Sequence, residues 1–478
     1  MQKDKIDEIC TKMGAIFHTE NKRVRINEPC LCELFKESGI YCYIRPLKIF
    51  EYYDYTTGKR IRISEDEIRT RLRAFAAGLR GNISITNINL ALSYRVLYSA
   101  LQMFKDAVGT DIYPEATRFC IHTRNGILVY DQELKNFRLC DFSPEIISRS
   151  MINRVYNPKA ECPMFIEKLL KPMLLHPEDD LDTLQQLFGQ YLLRENLSQQ
   201  FLVISGPASV GKSVLVSVIE RILGLENITE FQPSRLSNPF EMVEYSNKHL
   251  LTAKDVENDA LSKGINALKK ITGNDYLALE KKHSNERVYV RGNFNIIITG
   301  NGDLTIDFGA GRDAFARRLI WMECKVPEKF ERITDFDKLL VDEEGDGIFA
   351  WGVAGACKLL NNGGIITKTE RQKKAVEYLL DESAPVESFI RKCVVPVAGN
   401  GIASADLTAA FYKYSHQARW NSTAVLSLTP RQVEQCIRQA MLSSPHKFRY
   451  STNIEIQGMK KRVRGYMNCK LKFPTVKS

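Results

Sequence analysis

The stretch FLVIS-GPASVGKS-VLVSVIERILG (201–224) decides how this 478-residue chain is read. An apolar, strand-like run gives way to Gly206-Pro-Ala-Ser-Val-Gly211-Lys212-Ser213, and a helix-like apolar repeat follows at once. A G-x-x-x-x-G-K-S loop between a strand and a helix is built to hold phosphate. Its glycines let successive backbone N–H groups curl around an anion, and the helix start adds positive potential. The expected nucleotide-binding residues are Gly206, Pro207, Ala208, Ser209, Val210, Gly211, Lys212, Ser213 and Val214. Lys212 is expected to neutralise β- and γ-phosphate charge, and the Ser213 hydroxyl to ligate Mg²⁺, so ATP and Mg²⁺ are the expected cofactors.

Further apolar runs continue the pattern at HLLTA (249–253) and FNIIIT (294–299), pointing to an α/β core over 200–330. The first of these runs on into Lys254, Asp255, Val256 and Glu257. Asp255 and Glu257 are spaced to share one face of an extended strand end. They are assigned to the Mg²⁺ shell and to water positioning respectively, although either acid could take either role. Asn301, at the end of the second run, is placed to hold the attacking water or to sense the γ-phosphate. Arg317 and Arg318 follow, and an arginine there can act as a finger on a neighbouring subunit's nucleotide or can be an ordinary surface cation. Between the acids and Asn301, two strand-like runs, YLALE (276–280) and RVYVR (287–291), flank a turn bearing Lys281, Lys282 and His283. Such a tip suits successive phosphate contacts along DNA.

The formal charge of +10 is concentrated at one end. Residues 385–478 hold 15 Lys/Arg against 4 Asp/Glu, whereas residues 1–384 are nearly balanced at 52 against 53. A basic terminal module on a neutral body points to a nucleic-acid partner. Two helix-like segments there (LTAAFYKYSHQARW, PRQVEQCIRQAML) precede a basic strand pair, the outline of a winged helix. Hydrophobic content of 44% and charged content of 26% exclude a disordered or fibrous chain. No run approaches the ~20 apolar residues of a membrane span, and the charged start MQKDKIDEICTKMG carries no signal-peptide pattern, so a cytoplasmic location is expected. Twelve scattered cysteines read as reduced thiols; Cys30, Cys32 and Cys42, with His18 upstream, lack the paired spacing of a zinc site.

Organisation along the chain is expected to be: 1–110, mixed strands and helices with a helix capped at Ser64; 111–199, a helical collar broken at Asn125-Gly126 and several prolines; 200–330, the nucleotide-binding core; 331–384, a helical lid; then a linker at Asp381-Glu-Ser-Ala-Pro385 and the basic module 385–478.

Together the loop, acid strand, basic hairpin, Asn-ended strand and arginine resemble the superfamily 3 helicases, ring-forming AAA+ DNA motors of viruses, phages and plasmids. LEKKHSNER is similar to the DNA-contacting hairpin of polyomavirus large T antigen. The poxvirus and phage-satellite primase-helicase group is a nearer likeness, through HTRNGILVYD (122–131), VYNPKAECPMFIEKLL (155–170), LKKITGNDYLALEKK (268–282), ARRLIWMEC (316–324) and IFAWGVAGACKLLNNGG (348–364). The resemblance covers roughly residues 112–478. It implies sensor 1 at Asn301, DNA contact by Lys282 and His283, a finger at Arg318 rather than Arg317, and a trans-acting basic residue at Lys269. It further implies a homo-oligomeric ring, in all expectation a hexamer, acting on single-stranded or origin DNA. Lys254 departs from the family, where large T antigen carries a glutamate, and the first 110 residues are too short for the primase many relatives carry. The rival readings are an ATP-switched DNA-binding initiator without processive unwinding and a small-molecule P-loop kinase.

Overall fold

The computed structural model describes residues 3–21, 23–236, 245, 248–256, 267–280, 287–301, 312–328, 333–417, 429–446, 448–455 and 462–472. The chain forms two compact units, 1–156 and 157–478. Residues 111–156, read from sequence with the helical collar, therefore group with the first unit.

That unit opens with α1 (Lys3–Met13), the hairpin β1–β2 (Phe17–Glu20, Arg23–Ile26) and α2 (Glu28–Lys36). Strands β3 (Tyr41–Ile44), β4 (Ile49–Asp54) and β5 (Lys59–Ile63) follow, then helices α3 (Glu65–Gly78), α4 (Ile85–Ala91) and α5 (Tyr94–Ala107) and the short β6 (Gly109–Thr110). The Ser64 side chain caps α3 by accepting the Glu67 N–H, as its S-x-x-E pattern dictates. The four-stranded sheet runs β5-β4-β3-β6. Leu34, Phe35, Phe50, Leu72, Leu101 and Phe104 form the core beneath it. Cys30 and Cys32 lie in the same core, where burial pushes both thiols up to about 11.

The helical reading of 112–140 is overturned. This segment is a three-stranded antiparallel sheet of β7 (Cys120–Thr123), β8 (Gly126–Asp131) and β9 (Asn136–Cys140). Its first hairpin turns at Arg124-Asn125, between the paired Thr123 and Gly126, and Gly126 (φ +143°) opens β8; the Asn-Gly pair is thus part of a hairpin and not a break between helices. His122 is buried on β7; its Nε2 lies 2.7 Å from the Thr57 carbonyl, while its Nδ1 has no partner. Burial lowers its pKa from 6.5 to about 4, so folding favours the neutral ring. The unfolded chain then binds the extra proton between those values. Stability is held above pH 6.5 and falls by about 3 kcal/mol as pH drops to 4. His122→Gln is expected to flatten that slope in urea titrations at pH 7, 5.5 and 4.5.

In the second unit a π-helical turn (Phe165–Leu170) and the short α6 (Lys171–Met173) lead to α7 (Pro177–Leu192). Five parallel strands follow in the spatial order β11-β12-β15-β10-β16: β10 (Phe201–Gly206), β11 (Ile228–Glu230), β12 (Leu250–Ala253), β15 (Ile296–Asn301) and β16 (Leu319–Glu323). β10, β15 and β16 are near-continuous apolar runs, as strands covered on both faces require. The runs 276–280 and 287–291 stay out of this sheet and pair with each other as the antiparallel hairpin β13 (Tyr276–Glu280) and β14 (Arg287–Arg291). Helices α8 (Lys212–Leu223) and α9 (Arg312–Arg318) complete the layer.

α10 (Phe336–Asn361) packs along α7 through glycine. A Cβ on Gly355 would stand 1.8 Å from the Gln185 carbonyl oxygen, and one on Gly189 would stand 2.0 Å from the Ala356 nitrogen. The two backbones are in contact, so neither can yield locally. Gly355→Ala is expected to cost about 3 kcal/mol or more in urea unfolding, whereas Gly78→Ala, with nothing within 4 Å, should be neutral.

Residues 381–385 are not a linker. α11 (Glu370–Ser383) and α12 (Pro385–Cys393) meet there, and the buried Asp381 carboxylate binds the Ser388 hydroxyl at 2.9 Å, Arg391 at 2.7 Å and the Lys392 ammonium. β17 (Val394–Ala403), α13 (Ser404–Gln417), α14 (Pro430–Ser443), β18 (Arg449–Ile454) and β19 (Val463–Leu471) follow, with the sheet ordered β17-β19-β18. Among the described residues no helix is long and apolar enough to cross a membrane.

Candidate functional site

The site lies at the carboxyl ends of three adjacent parallel strands, the place where open α/β sheets bind ligands. β10 ends in Gly206, whose register partner on β15 is Asn301, and β12 follows on the far side of β15. Asn301 is therefore held between the loop and the acid strand. Beyond Gly206 (φ +150°) the chain turns through Ser209 (φ +61°) and Gly211 (φ +107°) before α8 begins at Lys212. Left-handed backbone at these points turns N–H groups inward, a cradle for anionic oxygens.

Lys212 is only 3% exposed, and its ammonium donates to the carbonyls of Gly206 at 2.8 Å and Pro207 at 2.6 Å. Burial lowers its pKa; nearby Cys324 and Asp255 act in the opposite direction. Two neutral carbonyls are weak partners for a desolvated cation, and phosphate is a far stronger one. Across from it Asn301 Nδ2 donates to Asp255 Oδ1 at 3.1 Å, while the Asp255 N–H donates to Thr299 Oγ1 at 3.2 Å. Asp255 sits at φ +51°, a conformation fixed by that bond and by Val256 N–H to the Thr299 carbonyl. Loop, Asp255 and Asn301 share one cleft of about 970 Å³, which runs on to Leu169, Pro172, Ile333 and Phe336. The donor set fits a nucleoside triphosphate with Mg²⁺: N–H groups and an ammonium for phosphate, a hydroxyl and a carboxylate for the metal.

Lys254 explains its own departure from the expected acid. Its ammonium lies 2.6 Å from Glu220 Oε2 on α8, and Glu220 Oε1 accepts from the buried Thr252 hydroxyl at 2.8 Å. The pair ties the loop helix to the acid strand and leaves Lys254 outside the cleft lining. Glu257 and the hairpin tip Lys281, Lys282 and His283 lie outside the described residues.

Arg317 and Arg318 end α9, and neither lines the cleft among the described residues. Arg317 is exposed. Arg318 packs by the base of the β13–β14 hairpin, where burial and neighbouring Arg317 lower its pKa and Asp275 partly offsets them. Lys269 lies over the Phe315 ring at 5.0 Å. The end of α9 is clamped from two distant segments: buried Lys368 donates to the carbonyls of Ala316 (2.8 Å) and Arg317 (3.2 Å), and Gln200 Nε2 to that of Arg317 (3.2 Å). Sequence reasoning missed this clamp, because an isolated lysine in a loop carries no local signal of what it caps.

Residues 204–318, from the loop strand to the second arginine, match a family described as a family of unknown function (DUF5906). Over 87 residues the chain is 34% identical to the uncharacterized mitochondrial protein ymf21 of Marchantia polymorpha, a match covering 18% of this chain and 47% of that one. The chain thus spans about half the length of that relative. Its fold is similar to the A form apo structure of the NrS-1 C terminal region (CTR), with a TM-score of 0.52 at 14% identity over 92% of this chain and 98% of that one. The apo structure of the NrS-1 C terminal region (305-718) gives 0.51 at 13% identity with the same coverage. At such identities the likeness is one of fold.

Proposed function

We propose that this protein is an ATP-dependent DNA helicase of the superfamily 3 type, serving the replication of a mobile element such as a phage or plasmid. The observation that carries the reading is the cleft in which the phosphate cradle, Asp255 and Asn301 meet at the ends of β10, β12 and β15. In it the loop N–H groups and Lys212 hold the β- and γ-phosphates of ATP. Ser213 and Asp255 would hold Mg²⁺, which when bound neutralises charge developing on the phosphates. Asn301 keeps the Asp255 carboxylate aimed and positions the attacking water, with Glu257 the candidate base. Arg318 reaches the nucleotide of the next subunit in a ring, which makes each site a shared one.

DNA enters through two elements. The β13–β14 pair is a two-stranded arm, and the sequence that joins its strands, with Lys281-Lys282-His283, would grip the backbone as the arm moves. The helix–strand–helix–helix–strand–strand order of 385–471, with β19 between β17 and β18, supports a winged helix, and the net charge of +11 over residues 385–478 supports DNA as the ligand. Replacing Lys282 and His283 by alanine together is expected to abolish strand displacement while leaving DNA-free hydrolysis near the parent rate. Unwinding at the parent rate would remove the hairpin from the mechanism.

A further inference from the structure

The N-terminal unit carries no part of the cleft, yet it presents a surface with chemistry of its own. Helix α5 buries Leu97, Ala100, Leu101 and Phe104 and turns Tyr94 and Tyr98 outward. These two rings, one turn apart, are 71% and 50% exposed. They stack at 6.3 Å between centroids with 23° between planes. On the neighbouring α3 the Arg69 guanidinium lies 5.7 Å from the Tyr94 ring centroid. One turn further, Arg73 reaches the Leu92 carbonyl, just ahead of α5, at 3.5 Å. Asp66 pairs with Arg69 from the start of α3. Beyond it the sequence changes character: residues 68–105 contain Arg69, Arg71, Arg73, Arg80, Arg95 and Lys105 and no Asp or Glu.

We propose that this face of α5, with Tyr94 and Tyr98 beside Arg69 and Arg73, is a stacking site for single-stranded nucleic acid. Exposed, nearly parallel aromatic rings offer their π-faces to unpaired bases, while duplex bases are already stacked on each other. Arg71 and Lys105 pair with Glu67 and Glu65, as Arg69 does with Asp66, so the exposed Arg73 and Arg95 supply the matching charge for the phosphates between those bases. The helix is seated by its buried stripe and capped by Ser93, whose hydroxyl accepts the Val96 N–H, so the rings stand on a rigid support. This inference does not depend on nucleotide hydrolysis.

The test uses the full chain and a 20-mer of deoxythymidine carrying 5-iodouracil, cross-linked by light and mapped by peptide. In the parent the cross-link is expected at Tyr94 or Tyr98. Tyr94→Ala/Tyr98→Ala should lose it and weaken 20-mer binding by about 25-fold or more, since each lost base–ring stack costs at least about fivefold. Tyr94→Phe/Tyr98→Phe should keep both. Both rings are exposed, so the alanine pair should melt as the parent does. Arg73→Ala, a separate check, should reduce the log–log salt slope by about 0.7. A parent with no cross-link on the peptide bearing these tyrosines would overturn the proposal. So would an alanine pair that binds the 20-mer as the parent does but no longer self-associates, since that face would then be a contact between copies of this chain.

Discussion

A one-to-one mixture of Lys212→Ala and Arg318→Ala protein is expected to hydrolyse ATP, although neither variant does so alone. Arg318→Ala should lower kcat by about 10³- to 10⁵-fold, the range over which an arginine finger stabilises charge on the transferring phosphoryl group. The physical basis is placement: among the described residues Arg318 stays out of its own chain's cleft. It stands at the end of α9, which Lys368 and Gln200 clamp by its last carbonyls. An arginine on an anchored helix end that does not line its own chain's cleft is free to serve a neighbour's. In the mixed assembly some interfaces pair an intact loop with an intact Arg318, and those should turn over. A mixture as inactive as its components would place the arginine's role within its own chain.

Lys212→Ala is expected to lower hydrolysis by at least about 10²- to 10³-fold, as removal of a preorganised charge from a transition state does. Thermal stability should hold or rise, because among the described residues the buried ammonium's hydrogen bonds go to the neutral carbonyls of Gly206 and Pro207, and its desolvation is a cost to folding. Activity and stability should therefore separate in this variant. Lys212→Arg should not restore the rate: a planar guanidinium is longer and wider than the space that 3% exposure leaves around the amine. A melting temperature that falls along with activity would instead mark Lys212 as a structural residue.

What could be read from sequence follows from how local each signal is. The β10–loop–α8 unit was legible because strand, glycines and helix are contiguous, and the Ser64 cap because its partner lies three residues on. The hairpin β13–β14 was legible from alternation on either side of a polar turn. The sheet β7–β9 was not, since Asn125-Gly126 among several prolines looks like a break between helices, whereas Asn125 closes a two-residue turn and Gly126 begins β8. The junction at Asp381 looked like a linker because Ser and Pro are turn residues. In the structure Pro385 opens a helix, where its missing N–H costs nothing, and Asp381 becomes a buried anchor. β17 was missed because Pro396, Gly399 and Gly401 interrupt its apolar run, and its pairing with β19 indeed shifts register there. Contacts such as Lys254–Glu220 and Lys368 to α9 join residues 34 and about 50 positions apart. No local pattern announces them.

The most direct test of the central claim is the ATPase rate of the full chain with and without single-stranded DNA, alongside Lys212→Ala and the Lys282→Ala/His283→Ala pair. A motor whose hairpin couples hydrolysis to the strand should be stimulated by DNA in the parent, inactive without Lys212, and active but unstimulated in the hairpin pair. A parent that binds DNA yet hydrolyses ATP at one rate with or without it would contradict the helicase account and describe an ATP-switched DNA-binding protein.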